Sequence, residues 1–349
     1  MVAQGESDLS IYTKGEQRQT HMRTENIVPA ASRPDEEGPA PPPARPLITA
    51  KDIYEVPRLT VQGALAWTLP ESAWWPLSRL FGRVNAATHP KRTGNETTQI
   101  ISVLAGTPTT RNAHRVAVEN WANRYEERFQ YLRAWRPGGW EPKIDIVGAE
   151  HVASALDQGR GIIFWAGNFS FNDLIAKIAW RRLGLAVSHF SRPIHGFSAT
   201  RFGIRYLNAV RRGIEDRYLG ERLMVEERET QIAMQRMRES LMANGAVSIT
   251  VGNKGRHTAP ANFLGGRIAL ATGALAMGRS TGSAVLPVST LRLVPGRFEV
   301  AIGGAIEVLD GGDGKPDYAA AVQNYVNWVT PFVLRDPGQW RGWRYTSRK

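Results

Sequence analysis

The chain has 349 residues, of which 42% are hydrophobic and none is cysteine, so it can bury a substantial core but holds no disulfide framework, thiolate nucleophile or cysteine-bound metal. Its formal net charge of +12 favours an anionic partner, although a generic arginine-rich surface is the simpler alternative. No run of about 18 apolar residues predicts a transmembrane helix, and residues 1–30 lack the pattern of a signal peptide. We therefore expect a cytoplasmic protein, with peripheral contact to the inner face of the membrane as an open alternative.

The first part of the chain divides into a polar leader and a helical portion. Residues 1–48 lack periodicity and end in the proline-rich segment GPAPPPARP, which is typical of a disordered leader. Residues 49–143 are predicted to form a helical N-terminal portion, because apolar side chains recur at helical spacing over much of residues 58–135. Within it, residues 65–84 combine tryptophans with few charges, which favours a packed helix pair over a membrane-surface helix.

From residue 144 onward, strands and helices alternate. We predict strands at 161–166, 185–190, 246–251, 284–292 and 298–308, and helices at 173–183, 197–211, 230–243, 268–279 and 317–334. This alternation implies an α/β core over residues 144–349, built on a mostly parallel central sheet flanked by helices. In such sheets, ligands bind beyond the carboxyl ends of the strands.

A polar turn follows the first of these strands. It contains Asn168, and Asp173 comes five residues later, in the first turn of the next helix. Taken alone, these residues are well explained as a turn former and as a carboxylate that suits the helix dipole. The stretches that follow in order change this interpretation: SRPIHG after the second strand, a polar NKG turn after the third, and ANFLGGR before a segment rich in small residues.

Together these motifs resemble the lysophospholipid acyltransferase superfamily over roughly residues 60–349, with the late lipid A (lauroyl and myristoyl) acyltransferases as the nearest branch. The resemblance implies a glycerolphosphate acyltransferase-like fold. In that family, a histidine at the end of the first α/β strand takes a proton from the acceptor, and a carboxylate five residues on orients the histidine. The carboxylate position corresponds to Asp173, and the histidine position is occupied by Asn168.

The resemblance also implies a set of substrate-binding residues. Arg192 corresponds to the arginine that follows the second strand, and the turn that shapes the acceptor and phosphate region corresponds to Gly265, Gly266 and Arg267. Asn253 stands where relatives tend to have an acidic residue. We expect the two arginines to bind anions.

The amide of Asn168 cannot act as a general base near neutral pH, because it only donates and accepts hydrogen bonds. Three interpretations stay open. An amine or hydroxylamine acceptor would need little help in losing its proton, with Asn168 as a positioning group and Asp173 as an acid/base or orienting group that could take up the proton. His195 could replace the missing base, and is preferred over His189 and His257. Alternatively, the fold has lost catalysis. For the enzyme interpretations, Asn168 and Asp173 should share one pocket that faces an arginine.

We therefore expect an acyltransferase that moves an acyl group from acyl carrier protein, acyl-CoA or aminoacyl-tRNA to an amine, hydroxylamine or hydroxyl. The missing motif histidine and the absence of the branch's membrane helix favour a specialised biosynthetic pathway over lipid A assembly. The alternatives are an aminoacyl-tRNA-dependent transferase of small-molecule biosynthesis and an inactive binding or scaffold protein. The anionic donor is the expected partner and co-substrate.

No tightly bound cofactor and no metal are expected, because the seven histidines are scattered and form no HExxH or other ligand spacing. The sequence also lacks a GxSxG nucleophile elbow, which favours direct transfer over a covalent acyl-enzyme. The C-terminal segment, residues 337–349, alternates aromatic and basic side chains. Such a pattern can bind nucleic acid or lie at a lipid surface.

Overall fold

The computed structural model describes residues 45–104, 112–192, 194–224 and 230–348. The predicted leader, residues 1–48, lies outside this part of the chain except for its last four residues. The helices are α1 (Ala50–Thr68), α2 (Glu71–Thr88), α3 (Pro90–Leu104), α4 (Ala113–Trp135), α5 (Ala149–Asp157), α6 (Asn172–Arg182), α7 (Asn208–Asp216), α8 (Thr230–Met242), α9 (Gly273–Thr281) and α10 (Tyr318–Arg335). The strands are β1 (Lys143–Val147), β2 (Ile162–Ala166), β3 (Val187–Ser191), β4 (Glu221–Met224), β5 (Ala246–Thr250), β6 (Thr258–Phe263), β7 (Gly266–Ala271), β8 (Ala284–Val294), β9 (Arg297–Ile302) and β10 (Thr346–Arg348).

Within the described residues, seven strands form one sheet in the order β1-β9-β8-β2-β5-β3-β4. Every neighbouring pair is parallel except β8 and β9, which are antiparallel. The predicted α/β architecture with a mostly parallel central sheet is therefore confirmed. Strand β2 lies in the middle of the sheet with β8 and β5 as parallel neighbours, so the carboxyl ends of the three strands meet at one edge.

Both faces of the sheet are covered, which explains why β2 is an unbroken apolar run. Its five residues are all buried, and their side chains alternate between two cores because successive side chains of a strand point to opposite faces. Ile162 and Phe164 join the core that contains Trp180 of α6. Ile163 and Trp165 join the other core, in which Trp165 packs on Tyr325 of α10 with ring centroids 4.4 Å apart.

In the described part of the chain, four helices precede the sheet, within the portion that the apolar spacing predicts to be helical. Helix α4 is the centre of this portion, since α1, α2 and α3 all pack against it. Trp74 of α2 is buried and stacks on Phe129 of α4 at 6.2 Å between ring centroids, whereas Trp67 of α1 remains 38% exposed. None of the helices in the described residues combines the length and apolarity needed to cross a membrane.

The predicted helix at 268–279 is wrong in its first half. Residues 266–271 form β7, the central strand of a small antiparallel sheet with the order β10-β7-β6, and α9 begins only at Gly273. Ile268 and Leu270 are both buried while Arg267 is exposed, which is the period of a strand. The turn before β7 places Leu264 at a positive φ of 53°, so the chain reverses there and forms a hairpin.

Two other predicted elements also differ from the structure, and two strands were not predicted. The predicted helix at 197–211 begins later, with a π-helical turn at Gly203–Leu207 that continues into α7. The predicted strand at 298–308 ends at Ile302. The short edge strands β1 and β4 carry charged residues and show no apolar run, so the sequence pattern did not separate them from loops.

Candidate functional site

Asp173 lies in the first turn of α6, directly after the carboxyl end of β2. Its Oδ2 accepts a hydrogen bond of 2.7 Å from Nη2 of Arg211 on α7. Its backbone oxygen accepts a bond of 2.5 Å from Nζ of Lys177, one turn further along α6. The expected arginine is therefore present beside Asp173, but it is Arg211 rather than Arg192.

Behind Asp173 lies Glu215, a completely buried carboxylate. It accepts five hydrogen bonds or ion pairs: Oε1 from Tyr131 Oη (2.6 Å), His195 Nε2 (3.0 Å) and Arg211 Nε (3.2 Å), and Oε2 from Lys177 Nζ (3.0 Å) and Arg222 Nη2 (2.8 Å). We call Asp173, Lys177, His195, Arg211 and Glu215 the ionic cluster. Its elements meet because α6 packs against β3 and against α7, and α7 also packs against α4.

The positive members of the ionic cluster keep both carboxylates ionised. Burial alone would raise the pKa of Glu215, but Lys177, His195 and Arg211 hold that pKa well below its ordinary value. Burial likewise opposes ionisation of Asp173, and His195, Arg211 and Lys177 nevertheless depress its pKa far below 3.8. A carboxylate this acidic is a poor proton acceptor near neutral pH. Of the two roles expected for Asp173, orienting a partner fits this low pKa better than acid/base catalysis does.

His195 combines a fixed orientation with access to solvent. Its side chain is 22% exposed, and its backbone nitrogen donates to the Arg192 carbonyl at 2.9 Å, in the turn after β3. The Nε2 contact to the Glu215 carboxylate places the proton on Nε2, since a carboxylate only accepts hydrogen bonds. Within the described residues, Nδ1 has no hydrogen-bond partner, so this nitrogen is free to accept a proton from a ligand.

Asn168 lies at the same sheet edge but has other partners. Its Nδ2 donates to Tyr345 Oη at 2.9 Å, and its backbone oxygen accepts from the Arg341 nitrogen at 2.7 Å. The cavity beside Asn168 has a volume of only about 10 Å³, and its lining includes Tyr345 and Phe263 but not Asp173. This volume holds about one water. This cavity is therefore not a substrate-sized pocket shared by Asn168 and Asp173.

The predicted substrate-binding residues lie outside the ionic cluster. Arg192, Asn253 and Arg267 are exposed, and in the described part of the chain no ion pair engages their side chains. Gly265 donates from its backbone nitrogen to Val103 of α3 at 2.8 Å. A Cβ on Gly266 would lie 2.5 Å from the Ser347 carbonyl oxygen of β10. Close packing therefore explains Gly266, whereas the hydrogen bond of Gly265 is one that any backbone N–H could donate.

Sequence reasoning missed Lys177 and Glu215, the two most buried charged members of the ionic cluster. A signal for each was present. Lys177 interrupts the apolar run LIAKIAW of α6, where a charge needs a partner. Glu215 follows Arg211 by four residues, the spacing at which helical side chains meet. Tyr131 gave no such signal, because aromatic residues are common in packed helices.

Among the described residues, no group of three or more histidine, aspartate and glutamate side chains is arranged to hold a metal ion. A scan against protein-family models finds no match for this chain, and a search of curated proteins finds none either. The site is therefore interpreted from its own geometry.

The depressed carboxylate pKa values predict a loss of stability in acid. A group whose pKa is lower in the folded protein than in the unfolded chain stabilises the fold above the unfolded pKa, and this contribution is lost as the pH falls through the folded pKa. For Asp173 and Glu215 the loss begins below their ordinary values of 3.8 and 4.5. Each group adds a slope of at most about 1.4 kcal/mol per pH unit.

Urea unfolding of the wild type between pH 7 and pH 3 measures this slope. We expect Asp173→Asn to be less stable at pH 7 and to show a shallower decline below about pH 4. Parallel curves for the two proteins would contradict a depressed pKa at Asp173.

Proposed function

We propose that the protein is an acyltransferase in which His195, oriented by Glu215, takes the proton of the acyl acceptor. The observation that carries the proposal is the contact of 3.0 Å between His195 Nε2 and Glu215 Oε1. It lies at the carboxyl edge of the central sheet, on a histidine whose other ring nitrogen has no hydrogen-bond partner among the described residues. A carboxylate that orients a histidine is the arrangement used by general bases in acyl transfer.

In the proposed reaction, the nitrogen or oxygen of the acceptor attacks the acyl carbon of the donor. The new bond forms as the thioester or ester bond to the donor breaks. The acceptor's proton moves to His195 Nδ1 and from there to the leaving sulfur or oxygen. Glu215 remains ionised throughout and stabilises the imidazolium that forms in between. No covalent acyl-enzyme and no additional reactant are required.

The reaction class rests on the resemblance of the ordered motifs to lysophospholipid acyltransferases, and the mostly parallel sheet is consistent with a glycerolphosphate acyltransferase-like fold. The motif position held by Asn168 offers no base, and His195 supplies one from the turn after the neighbouring strand β3. The donors that fit the basic chain are acyl carrier protein, acyl-CoA and aminoacyl-tRNA, with an amine, hydroxylamine or hydroxyl as acceptor. A specialised biosynthetic pathway remains our proposal for its role.

A scaffold or binding protein is the second candidate, and one observation favours it. The side chains at both motif positions, Asn168 and Asp173, are already engaged by protein groups, Tyr345 and Arg211. A fold that had lost catalysis would use its former site residues in this way. The same contacts also serve an enzyme whose reactive group is His195, so a direct assay has to separate the two.

The assay offers the purified protein acyl carrier, acyl-CoA and aminoacyl-tRNA donors, each with an alcohol and with an amine. We expect one donor to support transfer, with the product identified by mass spectrometry. Binding of a donor without transfer to any acceptor would support the scaffold. Transfer that proceeds with a covalent acylated protein as intermediate would contradict the direct mechanism.

A further inference from the structure

Four arginines lie where α3, α4 and the C-terminal segment meet. Arg92 of α3 and Arg124 of α4 both stack on the Trp121 ring, with guanidinium carbons 4.4 Å and 4.5 Å from the ring centroid. The C-terminal segment, which packs on the same two helices, adds Arg341 and Arg344. We call these four residues the arginine cluster.

The carboxylates that face the arginine cluster do not balance its charge. Glu96 forms an ion pair with Arg92 at 3.5 Å and is partly exposed. Glu127 forms an ion pair with Arg341, but it is shared with Arg211 of the ionic cluster, which lies 3.0 Å away. In the described residues, the ion pairs of these four guanidinium groups involve Glu96 and a share of Glu127.

The excess of positive charge affects the pKa of Arg124. Burial and the charges of Arg341, Arg92 and Arg344 lower its pKa to about 10, although Glu96 acts in the opposite direction. Nε of Arg124 and Nε of Arg341 are both buried without a hydrogen-bond partner among the described residues. Crowding of like charges is unfavourable unless an anion compensates it.

Tyr345 adds a free hydrogen-bond donor at the same place. Its Oη accepts from Arg344 Nη2 at 2.7 Å and from Asn168 Nδ2 at 2.9 Å. A phenol oxygen has two acceptor positions and one proton, and these two donors fill the acceptor positions. In the described part of the chain nothing accepts the remaining proton, so the hydroxyl can donate it to a ligand.

We propose that the arginine cluster and the Tyr345 hydroxyl bind a phosphate group. Phosphate supplies the missing negative charge, and its oxygens match the planar donor fork of arginine. The accessible contacts are Arg344, which is exposed, and Arg92, whose side chain is 58% exposed. In this arrangement Asn168 is a positioning residue that holds the tyrosine. The inference goes beyond acyl transfer and does not depend on it.

Isothermal titration at low salt with two separate probes, inorganic pyrophosphate and a short single-stranded RNA, tests the proposal. Arg344→Ala removes one charge-assisted hydrogen-bond donor and should weaken binding about tenfold or more. Tyr345→Phe retains the ring and loses only the hydroxyl, so a smaller loss is expected. The matched control is Arg238→Ala. Arg238 is an exposed arginine on α8, and in the described residues its side chain makes one hydrogen bond, of 3.4 Å to Ser280.

Binding of pyrophosphate that weakens in Arg344→Ala and Tyr345→Phe, but not in Arg238→Ala, supports the site and indicates a small-molecule phosphate. The same pattern with RNA alone supports it and indicates backbone phosphates. Absence of binding to both probes, or equal losses in Arg344→Ala and Arg238→Ala, would overturn the proposal. Because no acyl donor is used, inactivity in transfer leaves this result unaffected.

Discussion

Glu215→Gln is expected to lower the free energy of unfolding by about 3–5 kcal/mol, the cost of removing one partner from a buried ion pair. The change keeps the shape of the side chain and removes its charge. Lys177, which is 1% exposed, would then lose the carboxylate with which it forms its ion pair in the described residues. Arg211 and Arg222 would each lose one of their ion pairs. The destabilisation comes from these uncompensated buried cations rather than from lost packing.

Urea unfolding at pH 7 measures this effect, with Glu239→Gln as the control. Glu239 is exposed on α8, and among the described residues its carboxylate accepts one hydrogen bond, of 2.8 Å from Gln235. Its change should therefore stay within about 0.5 kcal/mol. A similar stability for Glu215→Gln and the wild type would show that the buried carboxylate is not required, and the orienting role assigned to it would fail with it.

His195→Ala is expected to lower the rate of acyl transfer by about 10²–10⁴-fold, the usual contribution of a positioned general base. Because the residue acts on the acceptor proton, kcat should fall while the dissociation constant of the donor changes little. The stability should fall less than in Glu215→Gln, since Glu215 retains its other donors when the imidazole is removed.

His257→Ala is the matched control. His257 is also a histidine that follows a strand of the central sheet, β5, but it is exposed and its side chain has no partner among the described residues. Its change should leave transfer unaltered. Equal losses in the two variants would place the base elsewhere.

The central sheet could be predicted because its parallel strands are buried on both faces. Such strands, for example β2, are continuous apolar segments in the sequence. The β6–β7 hairpin could not, because the small apolar residues around Ile268 suit a helix and a strand equally well. Only pairing with β6 and β10 decides between them. Edge strands β1 and β4 are defined by their neighbours in the same way.

The sequence predicted those site residues that directly follow a strand. It did not predict the contacts between residues that are far apart in the sequence. Asp173 and His195 each follow a predicted strand, so their meeting at the sheet edge is a consequence of topology. The partner of Asn168 is Tyr345, 177 residues away in the sequence. Glu215 becomes the orienting group only because α7 packs against α4 and α6. Neither contact leaves a periodic signal.

Chemical rescue of His195→Ala tests the central claim most directly. Single-turnover transfer is measured with the donor that supports turnover, with and without added imidazole. We predict a loss of at least about a hundredfold, part of which imidazole restores by entering the space left by the side chain and accepting the proton beside Glu215. A His195→Ala protein that transfers at the wild-type rate, or one whose loss imidazole does not reduce, would contradict the account.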